Sequence, residues 1–394
     1  MFRILVALAP LSLWVIVSWG QTTSINDVLQ AISTNNGDLK TYAALLENER
    51  LQLSTQNNLP DPQFGAYYLP LGTHSAGNYL EVEITQTVEF PSVYRARQGW
   101  INSRNTRQQL AFDSLRQFIL FTAKEHCLVL IQLNKRLALE QQRLQQARQL
   151  YEQIEALFEA EKIGILEVNK AKIAWLQQQF TVQDAERERL STLLALQALN
   201  GGLALEFTQD TFSDSLSLPT LESVWAEQQT IDPGLALLRQ EEELAQKQIE
   251  LSRKQLLPDL TAGLNYQGVN GDNYFGIFGG VSIPLWSGKH QLPAAEAGLA
   301  YQQTRREGAW VKRYAELERH YANYQKLLAQ YEEYQTALSG LESDALLLQA
   351  YELEQISFAA YYMELQFYRK AQDELLVLEK NLQSLRAIIF KYQL

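Results

Sequence analysis

The residue types that usually carry catalysis or metal binding are scarce in this sequence. It contains one cysteine, Cys127, four histidines and a single methionine, Met363, beyond the first residue. His126 and Cys127 are adjacent, but they lie in an apolar helical run, whereas a zinc site needs three or four converging ligands. The sequence also has no nucleophile elbow, phosphate-binding loop or metalloprotease helix motif. We therefore predict that the chain is not an enzyme, holds no metal and needs no cofactor.

One group of polar residues does have an informative spacing, because its members recur at every second position of a predicted strand. The polar members are Glu81, Glu83, Thr85, Thr87 and Glu89. The apolar members that alternate with them are Leu80, Val82, Ile84, Val88 and Phe90. Successive side chains of a strand point to opposite faces. The pattern therefore predicts that the apolar face contacts lipid and the polar face contacts water. This is the arrangement of a membrane β-barrel whose polar residues line the lumen.

The composition excludes several protein classes. Of the 394 residues, 46% are hydrophobic and 20% are charged, so the chain can fold and is not mostly disordered. The formal net charge is -11. This charge argues against nucleic acid as a partner, since binding to phosphates requires a basic surface.

The N-terminus has the pattern of a secretory signal. Arg3 precedes an apolar run from Ile4 to Val17, and small residues precede a cleavage point after Gly20. The pattern predicts a signal peptide over residues 1–20 and an exported mature chain. A short membrane anchor is the alternative, but the run is shorter than the roughly 20 residues that span a bilayer.

The rest of the sequence contains an internal duplication. Leu59-Pro60-Asp61 and Leu257-Pro258-Asp259 each precede a predicted β-hairpin, and long helical stretches follow at about 97–160 and 297–354. At 1.5 Å per residue the first stretch would be about 95 Å long. Self-similarity over nearly half the length indicates a repeat architecture.

The predicted organisation has two structural repeats that are separated by a connector. The first repeat covers 21–200, with a β-hairpin at about 62–90 and a long helical hairpin at about 97–199. The connector covers 201–220. The second repeat covers 221–394, with a β-hairpin at about 259–286 and a long helical hairpin at about 297–392.

The duplicated junctions between hairpin and long helix, together with the helical turns at 162–171 and 355–361, resemble the TolC family of outer-membrane efflux channels. The stretch 82–91 is more similar to the heavy-metal efflux branch than to the drug or protein-secretion branches. The resemblance implies a mainly α-helical chain with membrane β-structure. It also implies a homotrimer in which each protomer adds two hairpins to one twelve-stranded barrel, mounted on a long periplasmic tunnel of helices.

The resemblance further implies a function, a location and partners. The chain would be the passive exit duct of a tripartite efflux system in the outer membrane of a Gram-negative bacterium. An inner-membrane pump and a periplasmic adaptor, or membrane fusion protein, would deliver the substrates, with metal cations as one candidate class. The alternative is a periplasmic helical adaptor or scaffold without a membrane barrel.

The two helical turns are the predicted docking site for the adaptor. The apolar and small residues of this site are Ile163, Gly164, Ile165, Leu166, Ile356, Ser357, Phe358 and Tyr361. Exposed apolar patches of this kind usually mark interaction sites, although the same residues would also serve to pack the helices together. Candidate acids at the tunnel entrance are Glu161, Glu167 and Glu354. Family members often have glycine at the positions of Glu161 and Glu354.

Overall fold

The computed structural model describes residues 24–69, 78–269, 271–286, 288–339, 343–353 and 355–394. The predicted signal peptide at 1–20 and the candidate entrance acid Glu354 lie outside the described residues.

The described part of the chain contains nine α-helices, four strands and one short 3₁₀-helix (Lys391–Gln393). The helices are α1 (Ile25–Asn35), α2 (Gly37–Thr55), α3 (Pro91–Glu159), α4 (Ile165–Leu199), α5 (Leu221–Ile231), α6 (Pro233–Lys254), α7 (Gln291–Leu338), α8 (Ser343–Glu352) and α9 (Phe358–Ile389). The strands are β1 (Gln63–Leu69), β2 (Tyr79–Val88), β3 (Asp259–Val269) and β4 (Asp272–Ser282). The prediction of a mainly helical chain with two β-hairpins is confirmed.

Two predicted boundaries differ from the structure. The first long helix begins at Pro91 rather than near 97, because proline suits the first position of a helix, where its missing N–H needs no partner. Phe90, which the alternation assigned to the strand, is the N-cap of this helix. The second long stretch, predicted at 297–354, consists of two helices, α7 and α8.

Helix α3 is the longest element, with 69 residues, which corresponds to a length of about 104 Å. Among the described residues, no helix combines the length and the hydropathy needed to cross a membrane.

The four strands form one antiparallel sheet in the order β1-β2-β3-β4. The two predicted hairpins are therefore joined directly, because β2 of the first repeat pairs with β3 of the second from Tyr79↔Val269 to Val88↔Leu260. Gly263 lies in this central pairing. A Cβ atom at Gly263 would be 2.5 Å from the carbonyl oxygen of Ile84.

The duplication extends into the helical caps. Ser24 and Thr220 cap α1 and α5 with their side-chain oxygens, and Asn36 and Asp232 cap α2 and α6 in the same way. Each pair is separated by 196 residues. The Asn36 Oδ1 and Asp232 Oδ1 atoms accept from the backbone N–H groups three residues later at 3.0 and 2.9 Å.

The apolar core is divided into clusters along the helices rather than gathered at one centre. One cluster joins α1, α3 and α4 with Leu205 and Phe207 of the connector. A second lies among α5, α7 and α9, and a third lies where the helical turns meet. Cys127 is fully buried in the first cluster, and burial raises the pKa of its thiol to about 12.

We expect Gly263→Ala to destabilise the sheet by about 1–3 kcal/mol, since the added methyl group collides with backbone that cannot move aside. Gly276→Ala is the matched control, because a Cβ there has no atom within 4 Å. Thermal unfolding in detergent, followed by circular dichroism, would measure both. Equal midpoints for the two variants would contradict the close β2–β3 approach.

Candidate functional site

The register of the sheet places every acidic residue of the four strands on one face. Glu81 lies opposite Gln267, and Glu83 lies opposite Asn265. Asp259 and Asp272 share that face, since paired residues lie on the same side and the sides alternate along each strand. The four strands contain no lysine or arginine. This face, the acidic face, therefore carries uncompensated negative charge.

Glu81 is the most firmly held acid of this face. Its carboxylate accepts hydrogen bonds from Tyr79 Oη at 2.5 Å, Asn265 Nδ2 at 2.5 Å and Gln267 Nε2 at 3.1 Å. All three donors are neutral, so the hydrogen bonds stabilise the carboxylate without cancelling its charge.

The other predicted lumen residues have different surroundings. Glu83 lies beside Gly65, whose missing side chain leaves room for the carboxylate: a Cβ there would be 2.9 Å from Glu83 Oε1. Thr87 Oγ1 lies 2.8 Å from Thr261 Oγ1 across the central strands, and Thr85 is half-buried on the same face.

Glu89 follows β2 instead of lying within it. Its carboxylate forms an ion pair with Arg97 of α3, with Arg97 Nη1 2.5 Å from Glu89 Oε2. Glu89 therefore contributes no free charge to the acidic face, unlike Glu81 and Glu83.

The opposite face of the sheet is apolar and unusually exposed. Ile277 and Phe275 of β4 expose 88% and 73% of their surfaces, and Phe64 and Ile84 are also exposed. No charged residue of the four strands lies on this face. An exposed apolar surface of this extent requires a nonaqueous surrounding or a partner.

The two helical turns meet at the opposite end of the molecule from the sheet. Ile154 and Val168 of the first helical hairpin pack in one cluster with Phe358, Tyr361 and Leu365 of the second. Burial, followed by the nearby Glu167 carboxylate, raises the pKa of Tyr351 in this region.

Some residues of the predicted docking surface are buried in this cluster. Phe358 and Tyr361 are only 4% and 6% exposed, so they pack the helices together. Ile163 and Ile356 are half-buried against the same cluster. Aromatic spacing alone does not distinguish such core residues from surface ones.

The exposed surface of the turns consists of other residues. Leu166 is 70% exposed, Ile165 is also exposed, and Gly164 and Ser357 begin the two return helices. Met363, near the start of the second return helix, is 70% exposed.

The predicted entrance acids differ from one another. Glu161 is exposed and has a φ of 56°, in the left-handed region that favours glycine. Its N–H donates to the Phe158 carbonyl at 2.9 Å and the Lys162 N–H donates to Leu157 at 3.0 Å, which is the Schellman ending of a helix. Glu167 is half-buried, and its Oε1 accepts from Lys170 Nζ at 3.2 Å.

No group of three or more histidine, cysteine and acidic residues is placed to hold a metal in the described ranges. Asp259, Asp272, Asn265 and Gln267 are residues of the acidic face that the sequence analysis did not select. The signal for them was present in the alternation of β3 and β4, but their position relative to Glu81 depends on the β2–β3 register.

We expect Glu161→Gly to stabilise the protein by about 1 kcal/mol, because glycine adopts a positive φ without steric cost. Gly201 occupies the same left-handed position in the Schellman ending of α4. Ala156→Gly, at an exposed position inside α3, is the control and should be destabilising. Thermal unfolding would measure both changes. A lower unfolding midpoint for Glu161→Gly than for the unaltered protein would contradict backbone strain at Glu161.

No family model and no curated protein matches the chain, but solved structures do. CusC, described in terms of transmembrane channel formation, matches with a TM-score of 0.77 and 14% identity over 97% of this chain and 95% of its own. The outer membrane channel CmeC of Campylobacter jejuni matches with a TM-score of 0.73 and 13% identity over 95% and 90%. The outer membrane protein VceC of Vibrio cholerae matches with a TM-score of 0.70 and 16% identity over 93% and 94%. These matches confirm the resemblance at the level of the fold: the chain has the TolC-like fold of outer-membrane channels.

Proposed function

We propose that the chain is the outer-membrane channel of a tripartite efflux system, a passive exit duct for substrates. The observation that carries this proposal is the division of the sheet into an apolar face and an acidic face. A sheet that meets lipid on one side and water on the other needs an apolar face and a polar face.

The sheet also supports a trimeric assembly. In the described chain β1 and β4 are the edge strands, and each leaves one row of backbone groups without a partner strand. Backbone groups within lipid must be satisfied, which requires a closed barrel. We infer that β4 of one protomer pairs with β1 of the next, so that three copies of the four-stranded sheet close into twelve strands.

In this barrel the acidic face lines the water-filled lumen. Glu81, Glu83, Asp259 and Asp272 are repeated in each protomer, and no basic strand residue opposes them. A lumen of one charge concentrates ions of the opposite charge. The proposed duct therefore favours cations, and metal cations are the candidate substrate class.

The helical turns lie farthest from the sheet and are the proposed site where a periplasmic adaptor docks, supplied in turn by an inner-membrane pump. Ile165, Leu166 and Met363 provide exposed apolar surface there. The candidate acids of this entrance are Glu161, Glu167 and Glu354.

The second candidate, a periplasmic adaptor or scaffold, would explain the long helices. It gives no reason for Ile277 and Phe275 to be exposed on a face without charge. Extraction from cell envelopes separates the two candidates, since the channel requires detergent and a scaffold without a membrane barrel does not.

We expect cysteines at positions 82 and 83, in a Cys127→Ser background, to differ in labelling by a membrane-impermeant thiol reagent. Val82 lies on the apolar face and Glu83 on the acidic face, so only position 83 should be labelled in the assembled protein. Mass spectrometry would quantify the labelling.

The same positions in unfolded protein are the control and should be labelled equally. Equal labelling in the assembled protein would contradict the barrel.

In addition, Ile84→Arg should destabilise the assembled trimer by about 2–4 kcal/mol if Ile84 lies near the bilayer midplane.

We expect Gly164→Arg to abolish adaptor crosslinking and efflux while trimers still form. Gly164 has a φ of -88°, and a Cβ there has no atom within 4 Å, so the substitution disturbs no described contact. Gly308→Arg, at an equally open glycine of α7, is the control. Normal crosslinking and efflux in Gly164→Arg would place the adaptor contact elsewhere on the tunnel.

A further inference from the structure

A cleft of about 330 Å³ opens in the second repeat, where the end of α9 approaches the beginning of α6. Asp232, which caps α6, lies on one side of the cleft. Ile389, the last residue of α9, and Lys391 lie on the other side. Helices α3 and α7 provide the walls, with Phe121 and Arg313 among their contributions.

The duplicated chain contains an equivalent junction in the first repeat, and that junction is closed. There α4 ends beside the beginning of α2. Asn36 Nδ2 donates to the Leu199 carbonyl at 2.8 Å, and Asn35 Nδ2 donates to Asn200 Oδ1 at 3.1 Å. In the second repeat Asp232 occupies the position of Asn36, and a carboxylate cannot donate. The hydrogen bond that joins the two helices in the first repeat is therefore not available in the second.

Three cations, Arg313, Arg319 and Lys391, line the cleft. Among the described ion pairs none includes Lys391 or Arg313, although both side chains are half-buried. Lys391 Nζ lies 5.6 Å from the ring centroid of Phe121. Burial, and next the positive charge of Arg313, lower the pKa of Lys391, against the opposite effect of the Asp232, Glu316 and Glu125 carboxylates. The charges of Lys391 and Arg313 therefore repel each other.

Acids also line the cleft, and Asp232, Glu316 and Glu125 offset part of the charge of Lys391 without a described ion pair to it. Glu125 and Glu316 form no described ion pair, and Asp232 Oδ1 already accepts the N–H of Leu235. Two buried polar atoms of the lining, Gln228 Oε1 and His320 Nδ1, have no hydrogen-bond partner. The cleft is thus polar, and some of its buried polar atoms lack a hydrogen-bond partner.

We propose that this cleft binds one small oxyanion, a carboxylate or a phosphate group, between Lys391 Nζ and the guanidinium of Arg313. A planar guanidinium matches the geometry of both oxyanions. A bound anion removes the repulsion between the cations. It also links α7 to the end of α9, which closes the junction as Asn36 does in the first repeat. A metal is not the expected ligand, since the described residues place no metal-binding group there.

The experiment is a calorimetric titration of the detergent-purified full chain with inorganic phosphate and, separately, with acetate in chloride buffer. We expect saturable binding of one ion per chain to the unaltered protein, and at least ten-fold weaker binding to Lys391→Met and to Arg313→Met. Lys312→Met is the matched control, because Lys312 is an exposed neighbour on α7, and it should bind as the unaltered protein does. The anion that binds more tightly identifies the preferred group.

Thermal unfolding of the same proteins gives a second readout. The binding anion should raise the unfolding midpoint of the unaltered protein and of Lys312→Met, and should leave that of the two cleft variants unchanged. If Arg313→Met does not fold, Arg313→Lys replaces it and should also weaken binding, because it lacks the planar guanidinium. Absence of saturable binding to the unaltered protein, or equal binding to the cleft variants, would overturn the proposal. Neither outcome bears on the channel, which is tested by labelling and efflux.

Discussion

The pairing register of β2 and β3 is the constraint on which the rest of the structure depends. Glu81 can accept from Asn265 and Gln267 only because these residues lie on its own face in this register. A slip of one residue would turn every β3 side chain to the opposite face. Asp259 would then lie among Leu and Ile side chains, and the two repeats would no longer share one acidic surface. Gly263, which permits the close approach to Ile84, supports this register.

Away from the sheet, the helices are held by charges that are buried in pairs or triads. Glu241 of α6 is bound by Arg107 of α3 and Arg305 of α7, and it is 8% exposed. Farther along α3, Arg143 donates to Glu140 and to Asp373 of α9, each at 2.8 Å. A buried charge that loses its partner is strongly destabilising. Each triad therefore fixes how neighbouring helices are rotated against one another, which apolar contacts alone specify less strictly.

The sequence was sufficient to predict those parts of the fold that depend on the local pattern of apolar and polar residues. The alternation from Leu80 to Val88 and the duplicated Pro-Asp pairs predicted the hairpins, and helical spacing predicted the long helices. The burial of Phe358 and Tyr361 was not predictable in this way, since it depends on α3 and α4 packing against the second helical hairpin. The ion pair of Glu89 was missed for a similar reason: its partner, Arg97, approaches only because α3 begins at Pro91.

The uninterrupted length of α3 has a mechanical consequence. One continuous helix connects the sheet to the first helical turn, so a rotation of the helix at the sheet also moves its other end. Over about 104 Å, a tilt of one degree at the sheet displaces the far end by about 1.8 Å. Small rotations that leave the strands paired are therefore amplified into movements of atomic dimensions at the turn. In the described part of the second repeat, α7 and α8 are separate helices, and neither has this length.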